Sequence, residues 1–130
     1  GTWVKTTSQI ITKLNNSWQD LEKHPILGFF VSCGDVLKQN GKNQAVEDYI
    51  HVLFDDYFLP LEHTIAFGPV FDFSDNSPLS SHEKFMLKLI TKRQRLKINY
   101  TIRNDLRDWD RIKEFGNQFT QNFDEYVNEN

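Results

Sequence analysis

Several things are scarce in this sequence, and each scarcity excludes something. Cys33 is the only cysteine among 130 residues, which excludes an intramolecular disulfide and any zinc site built on clustered thiolates. A lone thiol fits a reducing compartment, so the expected location is cytoplasmic. No apolar run approaches the roughly 20 residues of a membrane-spanning helix, and no charged-then-apolar leader opens the chain. An integral membrane protein is therefore not expected. Proline is absent after Pro78, Lys and Arg are absent from residues 43–83, and Asp and Glu are absent from residues 84–103. The chain opens Gly1-Thr2 without methionine, as a fragment of a longer protein would.

What is present suffices for a fold. The length fits one domain, 1–130, able to bury roughly two-thirds of the surface its unfolded form exposes. Eleven Phe, four Tyr and three Trp, with 38% hydrophobic residues, set the chain apart from disordered sequences.

The apolar spacing reads as helix throughout. Ile10, Ile11, Leu14, Trp18 and Leu21 step by three and four, predicting a helix from about Thr7 to His24 with Thr6, Thr7 and Ser8 as N-cap candidates. Pro25 should kink or break the chain there. Ile26 to Leu37 then predicts a continued kinked helix or a short second one, ending near Asn40-Gly41. From Gln44, Val46, Tyr49, Ile50, Leu53, Phe54 and Tyr57 predict a helix bent at Pro60 and running to about Phe67. Residues 71–78 are dense in turn formers and read as a loop. Ser80 and Glu83 match a capping box. Beyond it, apolar residues from Phe85 to Val127 point to one very long helix, or two joined near Asn104-Asp105. No strand is expected.

Charge is distributed unevenly. Net charge is only −3, yet residues 43–83 carry eight acids while residues 84–103 carry seven bases. On a helix at about 100° per residue, Lys84, Lys88, Lys92, Arg95 and Arg103 fall within about a third of the circumference, beside a face of Phe85, Leu89, Leu96 and Tyr100 expected to be buried. With Arg93 and Lys97 they form a candidate site for an anionic surface: phospholipid headgroups, an acidic partner or, least of all given the acidic net charge, nucleic acid. The bland reading is a solvated face neutralised by acidic neighbours.

Catalytic signatures are missing. There is no His-Glu-x-x-His, no glycine-rich phosphate loop and no Gly-x-Ser-x-Gly elbow. Glu47, His51 and Asp55, with Glu62 and His63, imitate a metal site, but such spacing is common on charged helix faces. Cys33 beside Gly34 reads as a buried small residue and not as a nucleophile. Asn15-Asn16-Ser17 and Asn99-Tyr100-Thr101 match glycosylation sequons, which matter only in a secreted chain. No catalytic residue, cofactor or metal is expected.

Four segments together resemble the BAR domain, the crescent-forming membrane-shaping fold of endophilins, amphiphysins and related GTPase-activating proteins. They are Ile26 to Asp35 (ILGFFVSCGD), Phe58 to Glu62 (FLPLE), Lys92 to Arg103 (KRQRLKINYTIR) and Glu114 to Tyr126 (EFGNQFTQNFDEY), in matching order and approximate spacing. The resemblance covers about two-thirds of the chain. It implies an all-α fold of long, kinked antiparallel helices in a three-helix coiled-coil-like bundle, with curvature supplied at Pro25 and Pro60. It further implies pairing as a homodimer or with a paralogue, and a basic stripe offered to anionic lipid in trafficking or cytoskeletal signalling. Poor sealing of long helices in a short chain also favours dimerisation. The alternative is a helical protein-interaction or scaffold domain that binds no lipid.

Overall fold

The computed structural model describes the backbone of residues 2–129 and the side chains of residues 5–129; Gly1, on which the reading of the chain's beginning rests, lies outside the described residues. The fold is mixed α/β. Helix α1 (Thr2–Trp18) leads to strand β1 (Gly28–Ser32), a 3-10 turn (Gly34–Leu37), α2 (Gly41–Val46), a π-helical turn (Glu47–His51) and α3 (Val52–Phe54). Strands β2 (His63–Phe67) and β3 (Val70–Asp72) follow, then α4 (Ser81–Arg93), β4 (Arg103–Asp105) and α5 (Trp109–Glu129). β1 and β2 pair in parallel with Ser32 opposite Phe67, and β3 and β4 pair antiparallel with Phe71 opposite Asn104.

This overturns the expected all-α coiled-coil bundle, and each departure has a local cause. Helix α1 stops at Trp18, short of His24, because the chain folds back. The His24 imidazole donates from Nε2 to the Trp18 carbonyl at 2.9 Å and stacks on the indole with centroids 4.5 Å apart. An orphan helix-end carbonyl is thereby satisfied. Residues 26–37 are not a kinked helix. Phe29, Phe30 and Val31 are aromatic or β-branched, and the run alternates exposed and half-buried residues along β1. A short apolar run is ambiguous by periodicity alone, and here pairing with a strand 35 residues later decides it.

The helix expected to run through Pro60 to Phe67 ends at Phe54, and His63–Phe67 is extended. Pro25 and Pro60 therefore lie in connections and curve no helix. The final fifty residues are likewise divided. Asn104 holds the break: its Oδ1 accepts from the Asn99 amide at 2.9 Å, and its Nδ2 donates to the carbonyls of Phe71, Asn99 and Ile102. Side-chain amides that bond the backbone in this way compete with helix. The case for a dimer made from poorly sealed long helices falls with those helices.

The main core gathers Ile11, Trp18, Ile50, Phe54 and Leu59 between α1, the π-turn and β1, with Phe29 edge-on to Phe54 at 4.6 Å. A smaller cluster of Val36, Ala45 and Ala66 sits between α2 and the inner face of the β1–β2 pair. On the opposite face, Phe119 of α5 lies edge-on to His63 at 5.5 Å. Gly68, between β2 and β3, passes so close to the Leu106 carbonyl that a Cβ there would stand 2.1 Å from its oxygen. Only glycine fits that approach. No described helix is long and apolar enough to cross a membrane.

Candidate functional site

Helix α4 begins as its sequence pattern predicts. Ser80 Oγ accepts from the Glu83 amide at 3.3 Å, and the Glu83 carboxylate accepts from the Ser80 amide at 2.7 Å, completing the capping box. The Ser80 hydroxyl, then its backbone amide, hold the Glu83 carboxyl below its usual range. The helix ends in a Schellman motif: the Leu96 amide donates to the Thr91 carbonyl and the Arg95 amide to the Lys92 carbonyl, each at 3.0 Å. Arg95 holds the left-handed position there, with φ of 56°, where glycine is usual.

The side that α4 turns inward is not the expected one. Thr91 is fully buried, donating to the Leu87 carbonyl at 2.8 Å and sharing a hydrogen bond of 3.0 Å with the Tyr100 hydroxyl. Lys88 and Lys92 place their ammonium groups 5.6 and 5.8 Å from the centre of the Tyr100 ring, a cation–π arrangement. Tyr100 in turn lies edge-on to the buried Phe73 at 5.1 Å. Lys84 donates to the Ser74 carbonyl at 2.7 Å. The inner side of α4 is thus Lys84, Leu87, Lys88 and Thr91.

Phe85, Met86, Leu89 and Ile90 face outward, between 43 and 57% exposed. The expectation that Phe85 and Leu89 are buried is therefore corrected. At about 3.6 residues per turn, Arg93 falls on the same outward side, one turn beyond Leu89 and Ile90. Arg95 and Lys97, both exposed, follow it past the helix end.

The structure divides the seven candidate bases. Lys84, Lys88 and Lys92 serve the inner contacts, Arg93 shares the outward side with the apolar quartet, and Arg95 and Lys97 stand exposed just past the helix end. Arg103 stands apart on β4, opposite Asp72. There the Ser74 hydroxyl and amide hold the Asp72 carboxyl below its usual range, with smaller contributions from Arg103 and Lys84. Among the described residues, ion pairs join Lys38 to Asp35, Lys42 to Asp108, His51 to Glu47 and Arg107 to Asp105. None involves a candidate base.

Composition finds the basic cluster, but periodicity takes apolar to mean buried. Met86 and Ile90 carry the overlooked signal: with Phe85 and Leu89 they make a continuous outward quartet, opposite a stripe that has Thr91 at its centre.

The other sequence candidates disperse. His51 Nδ1 lies 2.9 Å from the Glu47 carboxylate one turn away, whereas His63 is on β2 against Phe119. Among the described residues no three His, Cys, Asp or Glu side chains converge as ligands would. Cys33 is half-buried beside Val36, Ala45 and Ala66. Neither a family model, nor a curated protein, nor a solved structure matches this chain.

Proposed function

We propose that this chain is a non-enzymatic module that attaches peripherally to anionic membrane surfaces through the outer side of α4 and the bases at its C-terminal end. The observation that carries the reading is the outward quartet of Phe85, Met86, Leu89 and Ile90, each about half exposed, followed in the chain by exposed Arg93, Arg95 and Lys97, which enter no ion pair among the described residues. Apolar residues beside bases on one helix are what a bilayer interface attracts. The proposal rests on this surface alone and does not use the crescent architecture.

Magnitudes indicate that both halves are needed. Three bases contribute about 3 kcal/mol in total at an anionic leaflet, at about 1 kcal/mol each. Full burial of a Phe, Met, Leu or Ile side chain is worth about 1.5–3 kcal/mol. With roughly half of each already covered, the quartet adds about 4 kcal/mol. Lost rigid-body freedom takes back at least about 4 kcal/mol, so neither half anchors the protein alone.

The test is co-sedimentation with phosphatidylcholine vesicles with and without phosphatidylserine, at low and high salt. The wild type should pellet only with the anionic vesicles and should be released as salt shortens the Debye length below about 10 Å. Reversal of Arg93, Arg95 and Lys97 to Glu should weaken binding at least about a hundredfold, three charges at about 1 kcal/mol each. A folded wild type that stays in the supernatant at low salt, or a reversed variant that pellets equally, overturns the proposal.

A further inference from the structure

The two edges of the β1–β2 pair meet different fates. Cys33 donates its amide to the Phe67 carbonyl at 3.1 Å. With Ser32 opposite Phe67, the alternation of a parallel ladder directs the amides and carbonyls of Phe29 and Val31 to β2 as well. Those of Gly28, Phe30 and Ser32 point the other way. At the outer edge of β2, Arg111 Nη1 donates to the Ala66 carbonyl at 2.7 Å, and α5 packs alongside. At the outer edge of β1, no third strand pairs among the described residues. Gly28, Phe30 and Ser32 are all exposed, Phe30 by 69%.

Beside this open edge runs a groove of about 520 Å³, lined mainly by Ile11, Phe29, Val31, Tyr49, Val52 and Leu53. Its rim is acidic. Asp48 lines it, and Glu47, Asp55 and Asp56 stand exposed on the same stretch of chain. Glu47 is tied to His51, and the Gln44 amide donates to Asp48 at 2.8 Å. Residues 43–83 offer no Lys or Arg to neutralise them.

We infer that this edge is a docking site for an extended segment of a protein partner, which adds a strand to β1. Alternate apolar side chains of that segment enter the groove, and a Lys or Arg beside them meets Asp48. Three features select this occupant. Outward amides and carbonyls are satisfied in full by another extended backbone, and not by a helix or a lipid chain. The adjoining apolar groove takes side chains that alternate along such a strand. The acidic rim calls for a basic segment. A second copy of this chain pairing β1 with β1 would bring two acidic rims together, which like-charge repulsion disfavours.

The experiment uses the whole chain and two short capped synthetic peptides that alternate valine and threonine around a central phenylalanine, with a lysine at each end in register with the valines. One has an unmodified backbone. The other carries N-methyl groups at alternate residues, so that it keeps the side chains but loses the donors that would face β1. Binding is followed by amide chemical shifts and hydrogen exchange.

The unmodified peptide should shift and protect the amides of Gly28, Phe30 and Ser32, and the methylated one should bind at least about tenfold more weakly. Asp48→Lys, at an exposed position, should weaken binding by about fivefold without unfolding the chain. Three results overturn the proposal: no response at those amides, equal affinity for the two peptides, or protection that appears without peptide as protein concentration rises. The last assigns the edge to a second copy.

Discussion

The outer side of α4 and the groove beside β1 both leave large apolar side chains uncovered, yet opposite charges surround them. Arg93 shares the outward side of α4, with Arg95 and Lys97 just past its end, whereas Asp48 lines the groove and Glu47, Asp55 and Asp56 stand exposed on the same stretch of chain. Apolar exposure alone says only that a surface is usable. The sign of the flanking charge tells the two apart: one suits an anionic sheet of headgroups, the other a basic chain.

They also differ in what lies beneath. The groove is floored by Ile50 and Phe54 of the main core, while Phe85, Met86, Leu89 and Ile90 belong to no buried cluster. The largest effect follows from that difference. Phe54→Ala should cost about 3–5 kcal/mol by deleting a buried ring, and Leu89→Ala should stay within about 0.5 kcal/mol as a surface change. Denaturant unfolding of both variants measures the contrast. A Leu89→Ala loss as large as that of Phe54→Ala would mean that α4 turns its apolar side inward, and the comparison would break.

How legible this was in the sequence depends on how local each determinant is. The capping box of Ser80 and Glu83 spans four residues and needs nothing else, so it could be read directly. The basic cluster could be read from composition. β1 could not, because Phe29, Phe30 and Val31 suit a buried helix segment as well as a strand until His63–Phe67 arrives to pair with them. Nor could the rotation of α4, which depends on Thr91 finding the Tyr100 hydroxyl and on lysines covering the Tyr100 ring. A polar residue at the centre of a buried face defeats any rule that equates buried with apolar.

Arg95 separates stability from attachment. Its left-handed φ of 56° is costly for a residue with a Cβ, so Arg95→Gly should stabilise the fold by about 1 kcal/mol. The same change removes one outer charge and should weaken binding to anionic vesicles about fivefold. Thermal unfolding and co-sedimentation of one variant thus move in opposite directions. If both fall together, the Schellman geometry is not what holds Arg95, and the reading of the α4 terminus fails.

The smallest effect lies at the groove. Tyr49 lines it and donates its hydroxyl to the Asp35 carboxylate, which Lys38 also bridges. The bond to Asp35, with burial second, pushes the phenol up to about 12. Lys38, then Tyr49, hold the Asp35 carboxyl below its usual range. A raised phenol contributes stability that is fully present below its unfolded value of about 10 and is lost as pH rises through about 12. A depressed carboxyl contributes stability that is present above its unfolded value of about 4 and is lost as pH falls through its lower folded value. Ultraviolet difference titration of the wild type against Tyr49→Phe should therefore show that the phenol lost in the variant ionises late, at about 12. A lost phenol that ionises near 10, as a free tyrosine does, would remove the bond to Asp35. With the bond in place, the groove rim keeps its shape across neutral pH and yields only at the extremes. Attachment through α4 rests on three bases, whereas docking at the groove rests mainly on backbone bonds with a charge contact at Asp48, so salt at neutral pH should weaken the first far more than the second.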